Sequence, residues 1–167
     1  YHPHLHETTE AQITKGVGGL IIVRDAVESA LPLPRNYGVD DIPIIMTSRN
    51  FNTSNQFSVG RAYGDNMLTN GTMNGQITLP KQVVRLRFLN AEIERGYNLG
   101  IVNSSGVTKT FYVIGNDGGL LNAPVAVTRL PVHVGERYEI LVDLSGETLG
   151  STLDIKAYNN GQSMSFP

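Results

Sequence analysis

At 167 residues, 40% apolar and 17% charged with a formal net charge of −2, the chain has the composition of one globular unit of ordinary size plus a flanking piece. It is not that of a disordered tail or a basic nucleic-acid binder. No apolar run approaches the roughly 18 residues that a membrane-spanning helix needs, so neither nucleic acid nor a membrane is an expected partner. The absence of cysteine excludes disulfides and every thiolate metal site, including a copper–cysteine electron-transfer centre.

In chain order, the first feature is YHPHLH, which puts three of the four histidines at His2, His4 and His6. Thr9-Glu10-Ala11-Gln12 has the form of a capping box, with the Thr9 side chain accepting from the Gln12 amide, and Gly16 supplies a stop, predicting a helix of about two turns. Residues 18–25, GGLIIVRD, read as a buried strand. Residues 26–38 read as a linker, because Pro32 and Pro34 cannot serve in a central strand and Asn36 and Gly38 supply turn chemistry. Nothing beyond Gly16 has a convincing helical period.

From residue 39 onward the chain becomes a succession of short strands separated by Gly, Asn, Asp and Pro. Strands are predicted over 41–51, 82–90, 109–114, 125–129, 137–144 and 153–158. Period-two counting places Ile42, Ile44, Met46 and Ser48 on one face of the first. In the second it places Val84, Leu86 and Phe88 inward and Arg85 and Arg87 outward, and Tyr138, Ile140, Val142 and Leu144 share a face in the fifth. Asn116-Asp117-Gly118-Gly119 and Asn159-Asn160-Gly161 are turn signals. The series predicts an all-β Greek-key sandwich or barrel.

The candidate chemistry starts with the histidines. On an extended segment His2, His4 and His6 project together while Pro3 and Leu5 point the other way, and imidazoles two residues apart can serve one metal or two adjacent ones. Zinc, copper, iron and nickel all suit such ligands, and a solvated chance cluster stands beside the metal reading. Two or three ligands on one strand do not complete a catalytic site. His133, after Pro131 and before Gly135, reads as structural or surface. Asp40-Asp41 and Glu92-x-Glu94 read as solvated surface, because catalytic carboxylates need burial or a partner to shift their pKa. There is no Gly-x-Ser-x-Gly elbow and no phosphate-loop lysine at the required spacing.

YHPHLHETTEAQITKGVGGLIIVRD resembles the end of the first cupredoxin domain of multicopper oxidases. LPLPRNYGVDDIPIIMTSRNF, GDNMLTNGTMNG, VVRLRFLNAEIERGYNLGI, GNDGGLL and GERYEILVDL are similar, in order, to the linker and second cupredoxin domain of the branch containing bilirubin oxidase, copper-efflux oxidase and spore-coat laccase. The resemblance implies a cupredoxin-like fold divided into a first-domain tail (1–25), a linker (26–38) and a copper-free second domain (39–167). It also implies that His2 and His4 each supply an imidazole to one copper of a type 3 pair within a trinuclear cluster, where dioxygen is reduced to water with electrons from a donor substrate. His6 falls outside the cluster pattern, and Glu7 stands where many relatives have glycine.

The family's remaining copper motifs, among them the cysteine-bearing segment of the type 1 site, are not in these residues, so the chain by itself is expected to be inactive and to bind copper weakly or not at all. The other reading is a non-catalytic cupredoxin-like structural or interaction module. The tail strand, without its sheet, is expected to be disordered, to dock on the second domain or to self-associate. A secreted, periplasmic, cell-surface or spore-coat location is what the resemblance favours.

Overall fold

The computed structural model describes residues 1–60 and 63–158. Two short helices, α1 (Thr9–Thr14) and α2 (Ala26–Ser29), precede the strands β1 (Asp41–Arg49), β2 (Asn66–Thr69), β3 (Thr72–Met73), β4 (Val83–Asn90), β5 (Tyr97–Asn103), β6 (Thr108–Lys109), β7 (Phe111–Asn116), β8 (Gly119–Val127), β9 (Leu130–Val132), β10 (Arg137–Asp143) and β11 (Leu153–Ala157). One sheet has the order β3-β2-β1-β4-β10-β7-β8; the other has β11-β5-β6, with β9 also paired to β5. The architecture is all-β, as expected, and its two sheets pack face to face without closing into a barrel. The turn signal at 159–161 lies outside the described residues.

Period-two alternation builds the core. Ile42 and Ile44 of β1 lie opposite Leu86 and Phe88 of β4, the two strands running parallel. Ile140 and Val142 join them from β10, and Tyr97, Leu99, Ile101 and Val132 face them from the second sheet. Asn116 and Gly119 pair across the expected β7–β8 turn. At the β2–β3 hairpin Asn70 and Gly71 both have positive φ, which matches the twist of the flanking strands. The Asn70 side chain accepts from the Ile45 amide and donates to the Pro43 carbonyl, tying the turn to β1.

Arg85 and Arg87 do not face solvent as predicted: they are 1% and 5% exposed. The outer face of β4 is covered by the preceding segment, where Asp25 accepts from the Glu28 amide and caps α2 at 2.7 Å, bringing the Glu28 carboxylate over the sheet. Arg85 Nη1 meets Glu28 Oε1 at 2.6 Å and Arg85 Nε meets Glu139 at 2.9 Å. Arg87 binds Asp41 and Glu139, each at 2.6 Å, and Arg24 reaches the other Asp41 oxygen at 2.9 Å. Alternation alone could not show that both faces of β4 are covered.

The solvated reading holds for the exposed Glu94 and is overturned for the other three carboxylates. Asp40 and Asp41 are buried, Asp40 accepting from the Asn36 amide and from Gln82, and Glu92 is buried as the acceptor of the Tyr97 hydroxyl. Burial pushes the Asp41 carboxyl up, but the hydrogen bond and charge of Arg87, with Arg24 and Arg85, outweigh it and hold the group below its ordinary range. At Glu28 burial likewise loses to Arg85, Arg35 and Arg24. The Tyr97 phenol is pushed strongly up, by burial first and then by the Glu92 carboxylate.

Candidate metal centre

The His2 and His4 rings lie side by side, their centroids 5.7 Å apart and their planes tilted by 33°. Both are exposed. His2 Nδ1 is 2.7 Å from the Pro3 carbonyl. A carbonyl oxygen only accepts, so Nδ1 is the donor, and in the neutral tautomer this leaves the lone pair at Nε2, the arrangement in which an outer hydrogen bond orients a metal-binding histidine. No group of three or more His, Asp or Glu side chains that could hold a metal forms among the described residues, so neither His6 nor His133 completes a cage. His133 lies after β9, where its amide donates to Glu136. This donor set fits a copper ion as part of a site that draws further ligands from elsewhere.

Two clamps hold the histidine segment. The Tyr1 nitrogen donates to the Gly19 carbonyl at 2.6 Å and the Gly19 amide returns to the Tyr1 carbonyl at 3.0 Å. At the other end the Leu5 carbonyl accepts from the Thr8 amide and from the Thr8 and Thr9 hydroxyls. The capping box therefore does not form: α1 begins at Thr9, its N-cap Thr8 makes no side-chain cap bond, and the hydroxyls bind the preceding turn instead. Glu7 bridges that turn with φ +64°. Gly16, at φ +92°, ends the helix as predicted.

Residues 18–25 are not a strand. The segment is extended, but no backbone hydrogen bond among the described residues joins Leu20 through Arg24 to a neighbour. Ile21 and Val23 are 73% and 78% exposed, Leu20 and Ile22 are half-buried, and all four border a cleft of about 1140 Å³ between the tail and the large sheet, lined also by His2, Glu92 and Tyr138. The sequence has the right residues for a buried strand, but among the described residues no strand lies beside it.

The multicopper oxidase profile (Cu-oxidase) matches residues 41–152. This chain belongs to the multicopper oxidase family. Among solved structures it is similar to the McoA multicopper oxidase of Aquifex aeolicus, with 33% identity and a TM-score of 0.90, covering 96% of this chain and 36% of that one. It is likewise similar to a laccase from Pediococcus acidilactici, at 32% identity and TM-score 0.86, over 95% of this chain and 34% of that one. Among curated proteins it is similar to cell division protein FtsP of Xenorhabdus nematophila, 40% identical over 150 residues, which is 87% of this chain and 31% of that protein. FtsP of Escherichia coli K12 is 39% identical over the same length and shares. The chain thus spans about a third of the length of its relatives. Multicopper oxidase membership and the cupredoxin-like fold agree with what the sequence blocks implied.

The residues that sequence reasoning missed are those that fasten the tail to the sheets. Arg24 falls in the predicted tail strand, Glu28 in the linker, Asp41 among solvated carboxylates, and Arg49 inside the predicted strand 41–51, none with a partner indicated. Only the folded chain brings any of them to its partner.

Proposed function

We propose that these residues form the first-domain tail (1–25), linker (26–38) and copper-free second domain (39–167) of a multicopper oxidase of laccase type. The observation that carries this reading is the exposed His2–His4 pair, its rings side by side and His2 Nε2 left open by the Pro3 carbonyl. His2 and His4 would hold the type 3 copper pair of a trinuclear cluster, and bound copper would supply the one-electron steps by which a donor substrate reduces dioxygen to water. The chain's own contribution is to hold the two imidazoles at a fixed spacing, with the His2 proton kept on Nδ1. The remaining ligands and the type 1 site would come from other parts of the full-length protein. A secreted, periplasmic or cell-surface site of action accompanies this proposal.

The test is copper content and oxygen uptake of the full-length protein with phenolic or pyrrolic donors, beside His2→Ala and His4→Ala variants. Loss of copper and of uptake in both variants supports the reading; full copper retention in both refutes it. The curated relatives named for cell division favour a second reading, a non-catalytic cupredoxin-like module. A full-length protein that retains no copper after loading and consumes no oxygen would decide for that module.

A further inference from the structure

Among the described residues three arginines are buried, and two of them, Arg85 and Arg87, rest on carboxylates. Arg49 is different. At 5% exposure it has no carboxylate at ion-pair distance among the described residues, and all three guanidinium nitrogens donate to backbone carbonyls. Nε binds Thr14 at 2.7 Å, Nη2 binds Ile13 at 2.8 Å, and Nη1 binds Ser48 at 2.6 Å. Ile13 and Thr14 are in the last turn of α1, at the negative end of its dipole; the Ile13 carbonyl also accepts from the Gly16 amide at 2.9 Å. Burial works against the Arg49 charge and the nearby Glu92 carboxylate favours it without reaching it, so the side chain's hydrogen bonds go to these carbonyls alone and tie β1 to α1.

The backbone of Arg49 is itself held. The Gly64 amide donates to Ser48 Oγ at 3.0 Å, and Asn66 Nδ2 donates to the Arg49 carbonyl at 3.1 Å. A Cβ at Gly64 would lie 2.2 Å from the Arg49 nitrogen, so only glycine allows this approach. From α1 the connection runs back to the histidines in both directions. The Thr8 and Thr9 hydroxyls grip the Leu5 carbonyl, and the turn at Gly16 carries Gly19 to Tyr1. The His2-Pro3-His4 stretch is therefore suspended between two clamps that both belong to the α1 loop. Outside the Arg49 contact, the Glu10 carboxylate accepting from the Gly60 amide is a second tie from α1 to the body of the fold.

We infer that Arg49 is a positioning residue: by holding the last carbonyls of α1 it sets where the His2–His4 pair stands relative to the second domain. The inference rests on the copper reading of those histidines. Arginine suits the task because its planar fork reaches two successive carbonyls at once, which a lysine ammonium cannot reproduce.

The experiment uses Arg49→Lys and Arg49→Gln in the full-length protein. In the metal-free state amide exchange at residues 12–19 is expected to quicken about tenfold in both variants while β4 and β10 keep their wild-type rates. The ring resonances of His2 and His4 are expected to shift in the same samples. After copper loading, affinity at the pair is expected to fall roughly 10- to 100-fold. Unchanged exchange at 12–19, or unchanged histidine resonances, overturns the inference; so does faster exchange with copper affinity intact, which would leave Arg49 as a helix cap alone. Thr9→Val, which loosens the Leu5 clamp without touching the buried arginine, is the milder variant should both Arg49 changes prevent folding, and unmoved histidine resonances there would also overturn the inference. A wild-type protein that binds no copper refutes the copper reading instead, while the metal-free exchange and resonances still decide the role of Arg49.

Discussion

Glu7 shows how one residue can record a backbone requirement. Its φ of +64° lies in the left-handed region, which costs a residue with a Cβ roughly 1–2 kcal/mol, and this gives a physical reason for the glycine that the family resemblance places there. Glu7→Gly is expected to raise stability by about 0.5–1 kcal/mol, the relieved strain being partly offset by the greater freedom of glycine in the unfolded chain; urea unfolding measures it. Asp41 makes the opposite case. It is fully buried between Arg87 and Arg24, and Asp41→Asn, which leaves Arg87 with Glu139 as its one carboxylate, is expected to cost about 3 kcal/mol in the same assay, the low end for a broken buried pair. In the sequence Asp41 was one of two adjacent acids beside a linker, with nothing to distinguish it from a solvated pair.

At the scale of elements, the tail and linker are fastened to the outer face of the large sheet by ionic contacts as well as by packing. Glu28 and Asp41 both have carboxyls held below their ordinary values, 4.5 and 3.8. The unfolded chain therefore takes up these protons at higher pH than the folded one. The stabilisation is fully present above about pH 4.5 and is lost as pH falls through the two depressed values. The urea midpoint is expected to hold steady down to about pH 5 and then drop, with a shallower acid limb in Glu28→Gln. Residues 20–23 are the element left without a sheet. Their exposed Ile21 and Val23 give the chain an unpaired apolar edge, so self-association at high concentration is expected by sedimentation, and Ile21→Lys with Val23→Lys is expected to abolish it. A strictly monomeric wild-type chain would remove that expectation.

For the whole molecule, division of labour follows from where ligands are and are not. The sandwich encloses an apolar core, while the two paired imidazoles stand on the tail outside it. With two imidazole donors in reach of each other among the described residues, this chain alone is expected to lose copper on dialysis, whereas the full-length protein is expected to retain it; metal analysis of both separates the cases. Stoichiometric copper held by the isolated chain would mean that it completes a site by another route, such as pairing with a second copy.

The sequence by itself determined β1, β4, β7, β10 and β11, the core faces of β1, β4 and β10, and the histidine pair, because period-two burial and His-x-His spacing are local properties of an extended chain; β2, β3, β5 and β9 were not read from it. The ordered blocks also carried the family. Only the tertiary structure decided which second faces are covered, because the same alternation that puts Leu86 inside leaves Arg85 and Arg87 outside unless another segment crosses them. It decided likewise that, among the described residues, Leu20–Val23 has no strand beside it, that the Thr8 and Thr9 hydroxyls serve the histidine turn, and that Arg49 reaches α1 across 35 residues of sequence. Those are meetings between distant parts of the chain, and no local pattern encodes them.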